Sequence, residues 1–381
     1  MAEKGMLIAF GEMFLKSKRV KDIFQKKLAS NISLFLNKEK LDFNILSFRE
    51  RIFIKTEDAL KVKRVLKGVF GIYWFCDCFY FPKASSEQFL CFIQQNYSKW
   101  IKKDESFALR LKVHKGVLDK AEFIDKIAKQ IRRKVNLSKP DKEIFIEIRK
   151  SGLFLYFKKQ KGLSGLPVGS GGRVLSLVSS GIDSPVASYL ALKRGLENTW
   201  VHFHSFPLVS KRSIDKIEEL ADIFLNYQPR LKVYFVPFSD IQSEIKTKAP
   251  AKYRVLIYRR IMLKIAQQIA EKENCSALST GDNLGQVSSQ TIYNIKIIEE
   301  AVEMPILRPL LTYDKEEIIR LAEKIKTFKI SIKPQEDCCT LFVPAHQTAK
   351  GKIEIIKDIE KELDIDSLVN KAVGKVQIKN Y

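Results

Sequence analysis

This 381-residue chain has little cysteine and less histidine, six and four residues respectively. Six cysteines over that length do not make a disulfide framework, and with no export signal in view the cytosol is the expected compartment. No cysteine or histidine pairs stand at zinc spacing. Cys76-Asp77-Cys78 leaves one residue between the thiols and lies in an aromatic, strand-like run, so both read as core cysteines and no structural metal is expected. No apolar run approaches a membrane span, and residues 6–10 are too short for the apolar centre of a signal peptide, so no membrane association is expected. Two phosphate-binding signatures are missing: G-x-x-x-x-G-K-[ST] occurs nowhere, and no G-x-G-x-x-G follows a strand. Acidic residues are also short, 44 against 67 basic, for a formal charge of +23. That balance points to a polyanionic partner, nucleic acid foremost, against the plainer reading of a solvated basic surface.

What is present is an orderly α/β pattern. Residues 6–10, 41–48, 51–54 and 71–79 read as strands and 17–36 and 57–67 as helices, a βαββαβ order of the ferredoxin-like kind. A second unit follows Pro82, with helices at 86–98 and 119–134, a strand at 106–113 and a hairpin of 143–149 with 152–157. Basic side chains at 110–115, 132–134 and 158–161, among them Lys112, Lys115, Arg132 and Arg133, are candidates for contacts to RNA phosphates. Residues 162–172 form a glycine-rich linker. Beyond it strands at 174–178, 199–204, 231–236 and 275–280 alternate with helices at 185–194, 211–226, 253–273, 286–300 and 314–325. This spacing predicts a doubly wound parallel sheet. Ligands of such sheets sit at the carboxyl ends of strands, where residues 179–184, 202–204 and 280–282 should meet.

The first of these stretches carries the chemistry. Ser179-Ser180-Gly181-Ile182-Asp183-Ser184 joins a buried strand to a helix, with Ser184 expected as N-cap and Pro185 at the first helical position. Free amides at a helix start bind anions. The six residues resemble the S-G-G-x-D-S pyrophosphate loop of ATP pyrophosphatases, with Ser180 in place of the first glycine. A plain capping turn is the alternative reading of the same residues.

More of the chain resembles one family. Gly165-Leu166-Pro167-Val168-Gly169, Val201-His202-Phe203-His204-Ser205, Arg259-Arg260-Ile261-Met262, Gly285-Gln286-Val287-Ser288-Ser289-Gln290-Thr291, Pro305-Ile306-Leu307-Arg308-Pro309-Leu310, Asp314-Lys315-Glu316-Glu317 and Glu336-Asp337-Cys338-Cys339-Thr340 occur in the order of the tRNA 4-thiouridine synthases, ThiI. The resemblance implies a ferredoxin-like domain over 1–75, a THUMP RNA-binding domain over 76–165 whose α/β core begins as early as 56, and a PP-loop ATP pyrophosphatase domain over 166–381. It implies that ATP, with Mg²⁺, adenylates O4 of tRNA uridine 8 and that a cysteine persulfide then delivers sulfur to C4. Leu177, Val178, His202, Phe203, Arg259, Gly281 and Gln290 would contact ATP. Ser179, Ser180, Gly181 and Ser184 would grip the pyrophosphate with Asp183, and Cys338 would carry the sulfur, its thiolate favoured by Lys333. The THUMP domain would hold the 3′ CCA end.

Longer members add a rhodanese domain. The short form expected here takes sulfur from a separate persulfide carrier or a cysteine desulfurase, with Cys339, Cys275 or an external thiol to resolve the spent cysteine. A homodimer is compatible with the resemblance. Two departures stand out: Ser180, whose Cβ is expected to crowd the ligand or to demand a backbone conformation that glycine tolerates better, and Lys326 where a glycine is usual. The alternatives to the sulfurtransferase are a tRNA-binding paralogue with weakened catalysis and a role in sulfur supply for thiazole and thiamine synthesis.

Overall fold

The computed structural model describes residues 2–12, 17–82, 85–114, 120–334, 342 and 347–381. β1 (Glu3–Phe10), α1 (Lys18–Lys38), β2 (Asn44–Phe48), β3 (Arg51–Lys55), α2 (Ala59–Leu66) and β4 (Ile72–Phe81) follow the expected βαββαβ order. They continue into α3 (Ser86–Trp100), β5 (Ser106–Val113), α4 (Lys120–Gln130), β6 (Lys134–Val135), β7 (Lys142–Arg149), β8 (Gly152–Tyr156) and β9 (Gln160–Lys161). Contacts group residues up to Gly165 as one unit and those from Leu166 as a second.

The strand period of two sorts the first unit. On one face, Ile8, Ile54 and Phe75 pack with α1 and α2, while Phe81, Ile146 and Leu155 pack with α3 and α4. The other face carries Leu7, Phe53, Cys76, Cys78, Tyr80, Phe154 and Tyr156, so the two thiols are core residues as expected. Glu147 lies on this second face, bonded to Arg51 at 2.8 Å, to Arg149 at 3.0 Å and by the Tyr156 hydroxyl at 2.9 Å. Burial alone would raise its carboxyl, but the two guanidiniums outweigh it and hold the pKa at about 2. The two α/β motifs do not form separate sheets. The strand order is β2-β3-β1-β4-β8-β7-β5-β6, and β4 serves both halves, pairing with β1 along one edge and, through residues 78–81, with β8 along the other.

The second unit runs β10 (Arg173–Leu177), α5 (Asp183–Lys193), β11 (Glu197–His204), α6 (Arg212–Phe224), β12 (Lys232–Pro237), α7 (Ser239–Lys248), α8 (Arg254–Lys272) and β13 (Ala277–Ser279). It ends with α9 (Ile292–Glu299), β14 (Ile306–Leu307), α10 (Lys315–Lys324), α11 (Phe328–Ser331), α12 (Ile353–Glu362), α13 (Ile365–Gly374) and β15 (Gln377–Asn380). The sheet order is β14-β13-β10-β11-β12-β15, parallel except for β15, which closes the β12 edge antiparallel. This is the expected doubly wound sheet, with β10 at the point where the order reverses.

Local details go beyond the expected pattern. The helix expected over 286–300 starts at Ile292, because Thr291 caps it by accepting from the Asn294 amide and residues 288–290 form a 3₁₀ turn. α7, α12, α13 and β15 were not anticipated. α10 closes with a left-handed C-terminal motif: the Thr327 amide reaches the Ala322 carbonyl at 2.9 Å and the Lys326 amide reaches Glu323 at 3.0 Å, with Lys326 at φ 68°. That φ is why glycine suits position 326. Among the described residues no helix is long and apolar enough to cross a membrane.

Candidate functional site

β10 ends at Leu177 and α5 begins at Asp183, so residues 178–182 turn the chain over the carboxyl edge of the sheet. Ser184 was expected to cap α5 and does not. It sits inside the first turn, and its hydroxyl reaches back to residue 179, accepting from the Ser179 amide at 2.9 Å and donating to the Ser179 carbonyl at 3.0 Å. The residue in the N-cap position is Ile182, whose side chain makes no capping bond to the amides at the helix start. These are the groups an anion would take. Ser180 is accommodated without the expected strain: its side chain is buried and its backbone is outside the left-handed region. Gly281 explains the tightness of the turn. A Cβ there would lie 2.7 Å from the Ser184 amide nitrogen and 2.8 Å from its Cα, so the 280–282 loop lies directly on the start of α5.

Above the turn opens a cleft of about 290 Å³. Ser179, Ser180, Asp183 and Ser184 form its floor with Leu177 and Val178, His202 and Phe203 enter from the end of β11, Arg259 from α8, and Gly281 and Gln290 from the loops after β13. Of the residues expected to bind nucleotide, Gly181 alone does not line it. Thr280 and Asp282 join from the stretch already singled out. Met262 and Ser289 stood inside quoted motifs without being singled out as contacts, and Ser213, three residues before a buried lysine on the inner stripe of α6, stood in none.

His202 is a neutral, structural imidazole. Its Nδ1 lies 2.9 Å from the Val178 carbonyl, which can only accept, so the proton is assigned to Nδ1 and Nε2 faces the Ser213 hydroxyl at 3.4 Å. Burial pushes its pKa down to about 4. Arg259 bonds Asp282 and donates to Ser289 Oγ at 3.3 Å. Burial alone would raise the Asp282 carboxyl. Arg259, the Thr280 hydroxyl at 2.8 Å and Arg308 at 3.4 Å reverse that and hold it ionised. Arg259 is thereby fixed in the wall as an oriented cation. Gln290 Oε1 is buried without a partner among the described residues, an acceptor in the cleft wall for a ligand N–H. Asp183 receives the Lys315 ammonium at 2.6 Å and the Gln286 amide at 3.2 Å. The motif around Lys315 was legible in the sequence; its pairing with Asp183 was not. No group of three or more acidic, histidine or cysteine side chains that could cage a metal occurs among the described residues.

Cys338, Cys339 and Lys115 lie outside the described residues. Lys333, expected to favour the Cys338 thiolate, has its ammonium on Glu219 at 2.5 and 2.6 Å. Cys275 stands before β13, at the amino edge of the sheet and away from the cleft, and burial pushes its thiol up to about 11. Of the basic candidates, Lys112 and Arg132 are exposed. Arg133 donates to the Ile101, Lys102 and Arg132 carbonyls and covers the Tyr97 ring, closing the end of α3. Lys134 pairs in register with Ser106, six residues from Lys112 along β5, so the backbones at Arg133 and Lys112 stand roughly 20 Å apart at strand rise. Arg110, Lys158 and Lys159 do meet, with Lys139, Lys142, Phe145 and Phe157, in a basic and aromatic concavity of the first unit.

Three family descriptions match this sequence: "Thiamine biosynthesis protein (ThiI)" over residues 169–365, "ThiI ferredoxin-like domain" over 5–76 and "THUMP domain" over 93–158. A protein of Coxiella burnetii called a probable tRNA sulfurtransferase is 38% identical over 99% of this chain and 100% of its own length. One of Moorella thermoacetica with the same name is 36% identical over 98% of this chain and 96% of its own. A crystal structure of a 4-thiouridine synthetase in complex with RNA, with bound ATP, superposes with a TM-score of 0.87 at 29% identity, covering 99% of both chains.

Proposed function

This chain belongs to the ThiI family, and on that premise we propose that it is a tRNA sulfurtransferase that uses ATP to convert a tRNA uridine into 4-thiouridine. The observation that carries the reading is the single cleft in which the pyrophosphate-loop serines, Asp183, His202, Phe203, Arg259, Gly281 and Gln290 meet. The amides at the start of α5 and the Ser179 hydroxyl bind the phosphates, and Arg259 and Lys315 supply positive charge beside them. Val178 and Phe203 wall the adenine. Mg²⁺ bound with the triphosphate would neutralise part of its charge, and Asp183, the carboxylate of the turn, would hold it there.

The uridine is position 8. Its O4 attacks the α-phosphate, and pyrophosphate leaves to the amides of the turn. The terminal sulfur of a Cys338 persulfide then adds at C4, and AMP leaves with O4. A further thiol then attacks the Cys338 sulfur, breaking the S–S bond to release the thionucleoside and forming a disulfide with Cys338 that an external thiol reductant must reduce. Sulfur reaches Cys338 from a cysteine desulfurase or a persulfide carrier in the cytoplasm. The concavity around Lys158 and Lys159 fits phosphate contacts with the tRNA. The name of the matching family favours a second use of the same sulfur, in thiamine synthesis, which a strain lacking the protein would reveal as a thiamine requirement.

The test is a reaction of purified protein, unmodified tRNA, Mg²⁺-ATP and a desulfurase with cysteine, followed by nucleoside analysis for 4-thiouridine. Wild type should form it and Cys338→Ala should not, while pyrophosphate release persists in both. Tight tRNA binding with no thionucleoside from wild type would identify a binding protein instead.

A further inference from the structure

Chemistry on a base of a folded RNA requires that base to leave its stack and lie in a seat beside the reacting group. The nucleotide cleft has a ledge at its mouth, formed by residues 284–287 of the loop after β13. Leu284 and Val287 are 47% and 52% exposed, and Val287 also lines the cleft. Main-chain bonds hold them in place. The Leu284 amide reaches the Leu311 carbonyl at 3.2 Å, the Gly285 amide reaches the Gln290 carbonyl at 2.9 Å, and the Gln290 amide returns to the Val287 carbonyl at 2.9 Å. Gly285 stands at φ 78°, and apart from its chain neighbours no atom lies within 4 Å of where a Cβ would be, so the crest of the loop is open. Gln286 ties this ledge to the pyrophosphate turn. Its amide nitrogen donates to Asp183 at 3.2 Å, which leaves its carbonyl oxygen to accept from a ligand.

We propose that residues 284–287 seat the base of the uridine to be modified: the uracil ring lies on Leu284 and Val287, its N3–H donates to the Gln286 carbonyl, and O4 is thereby turned toward the phosphates in the cleft. Each feature answers to a property of uracil. A flat ring taken out of its stack loses apolar contact, and a ledge of two aliphatic side chains restores it. Uracil presents a donor at N3 where cytosine has a bare acceptor, so a carbonyl at this place favours uracil. The bond to Asp183 fixes that carbonyl against the turn whose amides take the phosphates, so base and nucleotide share one frame. A single exposed leucine or valine signifies nothing; these two flank the side chain that touches the turn. Phe206 and Leu208, exposed on the loop after β11, are the rival seat, and the Gln286 bond to Asp183 favours the loop after β13. The inference rests on the reading of the substrate as a tRNA uridine.

The experiment compares Leu284→Ser, Leu284→Met and Gln286→Met with wild type in two readouts. In the first, kcat/KM for tRNA in pyrophosphate release should fall tenfold or more in Leu284→Ser and Gln286→Met and stay within threefold of wild type in Leu284→Met, which keeps the ledge apolar. ATP affinity by titration calorimetry should stay within threefold in all three. In the second, tRNA carrying 4-thiouridine at the target position is bound with ATP and irradiated in the near ultraviolet, and the crosslinks are mapped by peptide mass spectrometry. They should fall on residues 284–287 and weaken at least fivefold in Leu284→Ser. Crosslinks on residues 205–208 or any other segment, turnover of Leu284→Ser within threefold of wild type, or a loss of ATP affinity that accounts for the loss of turnover overturns the proposal. Should wild type release no pyrophosphate with tRNA, the functional reading fails, and the crosslinks still report whether the ledge holds the base.

Discussion

Gly281→Ala tests how the cleft is built. The added methyl would stand 2.7 Å from the Ser184 nitrogen and 3.0 Å from the Asp183 carbonyl carbon, where ordinary contact begins at 3.4 Å, so the start of α5 must retreat by about 0.7 Å. Its neighbours there are backbone atoms, which cannot swing aside as a side chain would. Overpacking of this kind costs about 1–3 kcal/mol. For a unit of this size that lowers Tm by roughly 2–10 °C, measured by calorimetry with no nucleotide present. The same retreat moves the anion-binding amides, and a loss of about 1.4–2.7 kcal/mol corresponds to ATP binding some 10- to 100-fold weaker by titration calorimetry. Gly181→Ala is the control, since a Cβ there meets nothing closer than Ser179 Oγ at 3.5 Å, and its apo Tm should match wild type. An unchanged apo Tm in Gly281→Ala, with ATP affinity alone reduced, would refute the argument, because the missing methyl would then face the ligand and not α5.

Three further outcomes follow from the same geometry. His202 has a folded pKa near 4 against an ordinary value of about 6.5, so its neutral burial stabilises the fold at pH 7 and that contribution, about 3 kcal/mol, drains away as pH falls from 6.5 to 4. Urea melts should show a smaller loss between pH 7 and 5 in His202→Gln than in wild type. Asp183→Asn should leave stability within about 1 kcal/mol, because its pair with Lys315 is partly exposed, yet cut tRNA-dependent pyrophosphate release a hundredfold or more; release within threefold of wild type would remove Asp183 from the mechanism. Lys326→Gly should raise stability by about 0.5–1 kcal/mol in thermal unfolding, since it relieves a left-handed lysine at the end of α10.

The large features of the fold were legible because they follow from periodicity. The strands from Arg173 to Pro237 are mostly buried and carry short apolar or aromatic stretches, Val174-Leu175, Trp200-Val201 and Val233–Val236, while α6 between them carries a clear apolar stripe. β15 was missed because all four of its residues are exposed and it has no apolar signal; only its pairing with β12 makes it a strand. The site was legible as a set of short motifs on loops. Its internal wiring was not. That Ser184 turns back to Ser179, that Asp282 lies between two arginines, and that Lys315 meets Asp183 across 132 positions are tertiary facts with no sequence period. Lys216 is the instructive miss. A lysine on the inner stripe of an amphipathic helix contradicts the pattern, and that contradiction was visible before any coordinates.

The sharing of β4 limits how this chain can be divided or inherited. A ferredoxin-like segment ending near residue 76 and a THUMP segment beginning near 93 look like exchangeable cassettes, but the strand that runs to Phe81 belongs to both. Excising either cassette would strip one side of that strand and leave bare amides and carbonyls ready to template association with another chain. Recombination at the apparent border would therefore yield sticky fragments, and lineages carrying the pair are expected to gain or lose both together.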